Sequence, residues 1–437
     1  MNTPDPRLEK EQVKTEQAEH TAQPVSAVAD TQEGTSPLII INGPAAAIGI
    51  ISGEDGPTAV FTAESDKKVP VWKRYPNLFR FISAVSTVLL TLLAAFIMSR
   101  FPEWISDSYV KFSRVAQHII GSVFGIFSFS VVEFLIGVII VGVPVAIVAF
   151  IVLTKKRGGG KRRAASWLSH TAEVAAVLLA VFIITWGVNY RSAGLAYSLK
   201  LDVHSRPAET LAAALEEITL DLRETEASLP KGDDGRVVWP SYLEMNRISR
   251  EAWVSLAEQE PYFEGIAPTN VKPVKNSRIL SYMGITGVFT AFTGEANVNT
   301  DFPDSGRIFT MCHELAHSFG CAPENEANFA AYLACLSSDS PYARYSGLLA
   351  AFSYCYNALL KVDAESAYDC WYLLPEGTVA EYRYRSAYWQ RFEGEVQKVA
   401  TAVNDSYLKT MGSPQGVQSY GAVVDLILAD FVSRNLE

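Results

Sequence analysis

Three long apolar runs in the first half of the chain restrict what it can fold into more than any other feature. FISAVSTVLLTLLAAFIMS, Phe81 to Ser99, is uncharged over nineteen residues; VVEFLIGVIIVGVPVAIVAFIVL covers Val131 to Leu153; TAEVAAVLLAVFIITWGVNY covers Thr171 to Tyr190. A helix of about 20 apolar residues crosses the ~30 Å hydrocarbon core of a bilayer, where a helix satisfies its own backbone polar groups. Glu133 near one end of the second run and Pro144 inside it are tolerable in a bundled span. Trp186 and Tyr190 close the third run where an aromatic belt would lie. Composition agrees: 19% of the 437 residues are charged, against ~25% in an average soluble domain.

Orientation follows from the flanks, because Lys and Arg are enriched on the cytoplasmic side. Lys155, Lys156, Arg157, Lys161, Arg162 and Arg163 crowd the loop between the second and third runs, and Lys67, Lys68, Lys73, Arg74 and Arg80 precede the first. The loop after the first run offers only Arg100, Lys111 and Arg114, partly balanced by Glu103 and Asp107. Both basic flanks are inside only if the amino-terminal tail is inside and everything after Tyr190 is outside. The expected organisation is a disordered cytoplasmic tail over residues 1–75, a membrane domain over 76–190 with spans near 79–99, 131–153 and 170–190, and an extracytoplasmic domain over 191–437. No signal peptide opens at Met1, since the first twenty residues are charged throughout. Within the outer loop HIIGSVFGIFSFS is apolar but broken by Gly and Ser, which suits a segment that lies in the interface or re-enters, with His118 as an interfacial residue. A net charge of -10 and the absence of a long basic face exclude nucleic acid as an expected partner.

The tail is rich in Glu, Gln, Thr, Ala, Pro and Ser and shows no persistent period. Its one apolar patch, SPLIIINGPAAAIGIIS, is broken by Gly43, Pro44 and Gly49; it reads first as disorder, with a short hairpin or docking segment as the alternative. Residues 191–437 are enough to bury a full core. Amphipathic patterns from Glu209 and from Ser241 predict helices, MGITGVFTAFTGEANVN from Met283 predicts β structure, and further helices follow. This is a mostly helical α+β domain with a small sheet.

Its informative stretch is FTMCHELAHSFGCAPENEANFAAYLACLSSD, Phe309 to Asp339. His313 and His317 stand four apart on an expected helix, so both imidazoles emerge on one face, one turn apart, close enough to share a Zn²⁺ ion. Glu314 beside them can take a proton from a metal-activated water and pass it to a leaving amine. Gly320 ends the helix and turns the chain back, and Pro323 opens the next, from which a third ligand is expected. Glu324 and Glu326 compete for that role. Glu324 has Asn328 one turn later on its face, where an amide could orient a ligating imidazole; the Asn-Glu-Ala context of Glu326 resembles that of another branch of zinc peptidases.

These strings resemble the gluzincin group of metallopeptidases, and more closely a bacterial membrane family known only as domain of unknown function 3810. The resemblance rests on GITGVFTAFTGEANVNTDFP before the helix, CHELAHSFG on it, PENEANFAAYLACLSSDSPYARYSGLL after it, KPVKNSRILSYMG upstream, and the three spans. It implies a zincin-like fold and a bacterial cell-membrane protein that hydrolyses peptide or protein substrates with zinc. The metzincin pattern would put a third His where Pro323 stands, so that subclass does not fit. The alternative is a catalytically inert membrane sensor or scaffold with a structural metal site. The β segment ahead of the helix is placed to receive substrate as an added strand. Within it, Glu295 is either a structural hydrogen-bonding group or an anchor for a substrate amine. Tyr332, Tyr342, Arg344 and Tyr345 are candidates for polarising the scissile carbonyl. Five cysteines, an odd number, fall in the part expected outside and read as buried free thiols; Cys321 could be a soft ligand only if the helix ran through Gly320.

Overall fold

The computed structural model describes residues 46–49, 61–64, 70–411 and 420–435. These divide into two units, 1–74 and 75–437. In the first, β1 (Ala46–Gly49) pairs antiparallel with β2 (Phe61–Glu64), Ala46 opposite Glu64. Ala46–Gly49 is thus a strand inside the apolar patch; most of the expected disordered tail lies outside the described residues.

In the second unit three apolar helices are each long enough to cross a bilayer: α1 (Pro76–Met98), α3 (Val131–Arg157) and α4 (Gly160–Thr185). They fit a membrane-anchored protein. α1 and α4 pack along one another, while the apolar window of α3 has no buried residue. The third helix starts earlier in the chain than the run of apolar residues implies and stops at Thr185. Residues 187–191 form a tight turn of 3₁₀ helix instead. Trp186 and Tyr190, expected in an aromatic belt, are buried against the rest of the unit.

Between α1 and α3 lies α2 (Val110–Phe124). Ser113 Oγ on α2 donates to the carbonyl of Thr185 at 2.7 Å, and Tyr109 just ahead of it donates to that of Ile184 at 2.9 Å. Carbonyls at a helix C-terminus lack intrahelical donors, and these hydroxyls supply them for α4. Arg114, almost wholly buried, donates to the carbonyls of Phe319 (3.0 Å) and Tyr262 (2.5 Å).

The remainder is predominantly helical. α5 (Ala208–Ala227) and α6 (Tyr242–Gln259, with Ser241 accepting the Glu244 N–H at 3.3 Å as its cap) match the amphipathic patterns. A three-stranded sheet follows, ordered β3 (Lys272–Val274), β5 (Glu295–Asn299), β4 (Gly287–Thr290). β3 runs parallel to β5, and β4 runs antiparallel to it with Thr290 opposite Glu295. β5 is buried at every position while β4, at the edge, is half-exposed throughout. Helices α7 (Arg307–Ser318), α8 (Glu324–Ser337) and α9 (Pro341–Leu359) build the main core with α6. Around them stand α10 (Ala364–Tyr372), α11 (Glu376–Gln390), α12 (Glu395–Met411) and α13 (Tyr420–Asn435).

Candidate metal centre

Helix α7 is fixed by the face it hides. Ile308, Met311, Cys312, Leu315 and Ala316 recur at helical spacing and are fully buried. Trp253 of α6 stacks on Phe319 with ring centroids 4.3 Å apart and donates its Nε1–H to the Cys312 carbonyl at 3.1 Å. Ile308, Met311 and Leu315 taken out of water contribute roughly 1.5–3 kcal/mol each, so the rotation of α7 is strongly specified. His313 and His317 then share its other face, with ring centroids 4.8 Å apart and planes at 86°.

The helix stops as the sequence predicts. Gly320 takes φ +95°, and the Cys321 N–H returns to the Ala316 carbonyl at 3.1 Å, closing a Schellman-type end. A Cβ at Gly320 would also press on Val110 at 2.7 Å. This reversal sets the Cys321 carbonyl 2.7 Å from His317 Nδ1. A ring nitrogen facing a carbonyl carries the proton, so the Nε2 lone pair of His317 points the other way. There Glu324, the first residue of α8, presents its carboxylate 3.2 Å from His313 Nε2 and 3.9 Å from His317 Nε2. The three candidate ligand atoms lie within 4.8 Å of one another. Two imidazole nitrogens and one carboxylate converging in this way fit a divalent cation such as Zn²⁺, whose ligands sit at ~2.0–2.2 Å.

The charges suit that role. Although burial opposes ionisation of Glu324, its contact with His313 and the nearby His317 hold its pKa at about 2. Burial and the neighbouring His313 push His317 down to about 4, so its ring is neutral. Burial also works against the charged form of His313, but Glu324, Glu314 and Asn328 outweigh it and raise its pKa. Asn328 is close enough to His313 to favour its charged form, yet His313 Nδ1 has no hydrogen-bond partner among the described residues, so the expected orienting bond from the amide is not seen. Glu324 and His317 thus have the protonation states a cation needs, while His313 must give up its proton as a cation binds.

Glu314 is buried beside this set and outside it. Burial and the nearby Glu324 carry its pKa up to about 8, opposed by His313 and by the Phe289 backbone N–H of β4, which donates to it. Gly287 makes this approach possible: a Cβ there would overlap the Glu314 carboxyl group, whose Cδ would lie only 2.7 Å away. The edge strand therefore lies directly over the general-base candidate.

Glu326 is turned away. Its carboxylate accepts the Leu195 N–H and fills the space left by Gly194, where φ is +94° and a Cβ would meet Oε1 at 2.8 Å. Burial pushes its pKa up to about 7. It anchors the segment after α4 and does not face the imidazoles. The four residues considered for carbonyl polarisation are also elsewhere: Tyr345 meets Thr378 (2.9 Å), Arg344 pairs with Asp221 (2.7 Å), Tyr332 is buried in the main core, and Tyr342 packs on Trp239. Glu295 takes the structural role, accepting the Val131 and Val132 N–H groups at 3.0 Å each and pairing with Lys272 at 2.5 Å. All five cysteines are buried free thiols, and it is the Cys321 carbonyl, not its sulfur, that meets His317.

Several groups around the site are invisible in the motif. Trp186 donates Nε1–H to the His317 carbonyl at 3.3 Å and lies 5.8 Å from the Phe289 ring, itself 6.0 Å from the His317 ring. The hydroxyls of Tyr190 and of Tyr407 on α12 interact with each other and both sense the Glu324 charge; burial is the main cause of the raised pKa of each. No sequence spacing links Tyr407 to α7; only its aromatic character on an amphipathic helix could have suggested a contact.

Comparison with curated proteins and with solved structures found no match. A family model described as "Protein of unknown function (DUF3810)" matches residues 109–428, from the turn before α2 to α13. With most of its length covered, the chain belongs to that family.

Proposed function

We propose that this protein is a membrane-anchored zinc-dependent peptidase of gluzincin type, with a zincin-like arrangement of edge strand, active helix and ligand helix. One observation carries the reading: His313, His317 and Glu324 converge within 4.8 Å of one another while Glu314, buried next to them, stays out of the set and under an edge strand. His313 and His317 on α7 and Glu324 on α8 would hold the ion. A bound Zn²⁺ supplies Lewis-acid polarisation of a carbonyl and eases ionisation of water at neutral pH.

The chain's own groups do the rest. The Cys321 carbonyl orients the His317 imidazole, and Glu314 would take a proton from water and hand it to the leaving amine. β4, an edge strand, would orient the backbone of an extended peptide across the site. Tyr407, backed by Tyr190, replaces the four earlier candidates as donor to the developing oxyanion. A structural site would be closed by four protein ligands; among the described residues three come together. We also assign the tail and the basic loop Lys155–Arg163 to the cytoplasm of a bacterial cell and the domain to the outside, from the charge bias of the flanks.

The test is metal content of the full-length chain purified in detergent, by elemental mass spectrometry. About one zinc per chain is expected in the wild type, with loss of zinc and of hydrolysis in His317→Ala and Glu324→Ala and retention of zinc in Glu326→Ala. A folded wild type that takes up no zinc sinks the reading in favour of the inert scaffold.

A further inference from the structure

The position of the site relative to the apolar helices says what it can reach. α4 ends at Thr185, and the very next residue already packs on the site: the Trp186 ring is 6.2 Å from that of His317 and hydrogen-bonds its carbonyl. Phe182, inside the last turn of α4, lies 5.6 Å from Phe292 at the tip of the β4–β5 hairpin. At the same tip, Glu295 caps the first turn of α3 through Val131 and Val132. Both spans therefore reach the domain at one end of the strand that covers Glu314. A helical turn rises ~5.4 Å, so with α3 and α4 as membrane spans this hairpin tip would lie at bilayer level and the site only a few strand residues above it.

Helix α2 supports the same placement. Besides Val110 and Gly121 its buried face is polar, with Ser113, Arg114 and Gln117, while its exposed face carries Phe112, Val115, Ile119 and Val123 alongside Lys111 and Ser122. That distribution is inverted for a helix in water and suits one lying in the membrane interface, joined at either end to a span. Arg114 fastens it to the end of α7, at the carbonyl of Phe319.

We propose that the natural substrates are polypeptides anchored in the same bilayer and cut within the first few residues outside their own span. This rests on the peptidase reading above and narrows its substrate class. An extended chain rises ~3.3 Å per residue, so a peptide leaving the bilayer beside the hairpin tip and pairing with β4 reaches the level of Glu314 after a handful of residues. Anchoring also holds such a substrate at a high effective concentration, which a free peptide lacks.

The test uses the full-length chain, loaded with zinc and reconstituted in liposomes. One cleavable sequence is presented either free or fused to an apolar span of about 20 residues, with Gly/Ser spacers of roughly 5 to 40 residues between span and sequence. Cutting of the short-spacer anchored peptide at least ~10-fold faster than the free one is expected, with cut points within about ten residues of the span and a rate that falls as the spacer grows. A photoreactive residue at position 292 of the Glu314→Gln variant should capture the anchored peptide and not the free one. Equal rates on free and anchored peptides, or a rate indifferent to spacer length, overturn the membrane-substrate proposal and leave the peptidase reading standing. Failure of the zinc-loaded wild type to cut either peptide removes the peptidase reading, and this proposal with it.

Discussion

Two regions meet at the candidate site, and they are held by different forces. α7 and α8 approach it from the core: their apolar residues are almost wholly buried and their imidazoles and carboxylate emerge from a rigid pair of helices. β4 and α12 approach from the rim: β4 is half-exposed throughout and α12 buries little besides Leu408. The difference separates tasks. On the proposed function, ligands that must keep a fixed geometry would come from the packed region, and groups that must accommodate a substrate from the lightly packed one, where local opening costs less.

Substitutions can break that division or sharpen it. The largest effect is expected at Glu314, which stands in the core and answers to the rim: Glu314→Gln should lower kcat by ~10²–10⁴-fold with zinc retained, and loss of zinc instead would make Glu314 a ligand and dissolve the distinction. Next comes Gly287→Ala on β4. Its Cβ overlaps the Glu314 carboxyl, and a displacement of that order costs up to ~10²-fold in rate; zinc content should stay at the wild-type level. Tyr407→Phe should cost roughly tenfold to a hundredfold in kcat with KM little changed, as for a donor used mainly in the transition state. A change confined to KM would make Tyr407 a substrate contact only.

The smallest effect is expected from Glu326→Gln. The wild-type carboxyl titrates near 7, above its ordinary value of 4.5, so between these values the folded chain keeps a proton that the unfolded chain releases. Its contribution to stability is full below about 4.5 and is lost as pH rises through about 7. The Tm difference between wild type and Glu326→Gln, followed across that window in detergent, should therefore change with pH. A constant difference would show that Glu326 is ionised throughout.

Much of the site was legible because it is local. The four-residue spacing of His313 and His317 and Gly320 as the helix end both depend on contacts within a turn or two of helix. The choice between Glu324 and Glu326 was not legible, since both stand in the first turn of α8; the rotation of α8 against α7 and the pocket at Gly194 separate them. Tyr332 and Tyr345 looked suitable by type, yet each lies on a helix face that turns into the main core. Trp186 misled for a similar reason. An indole after an apolar run fits the membrane interface by composition, and here it is buried against the domain.

The amino-acid sequence alone determined three membrane-length helices and a His-Glu-x-x-His helix followed by an acidic one, because hydropathy and helical periodicity are read from neighbours along the chain. The tertiary structure alone decided that β4 covers Glu314, that Tyr407 joins Tyr190 at Glu324, and that the end of α4 supports His317. Those pairs lie far apart in sequence, and they meet only because burying the apolar face of α7 fixes where each of its polar groups must point.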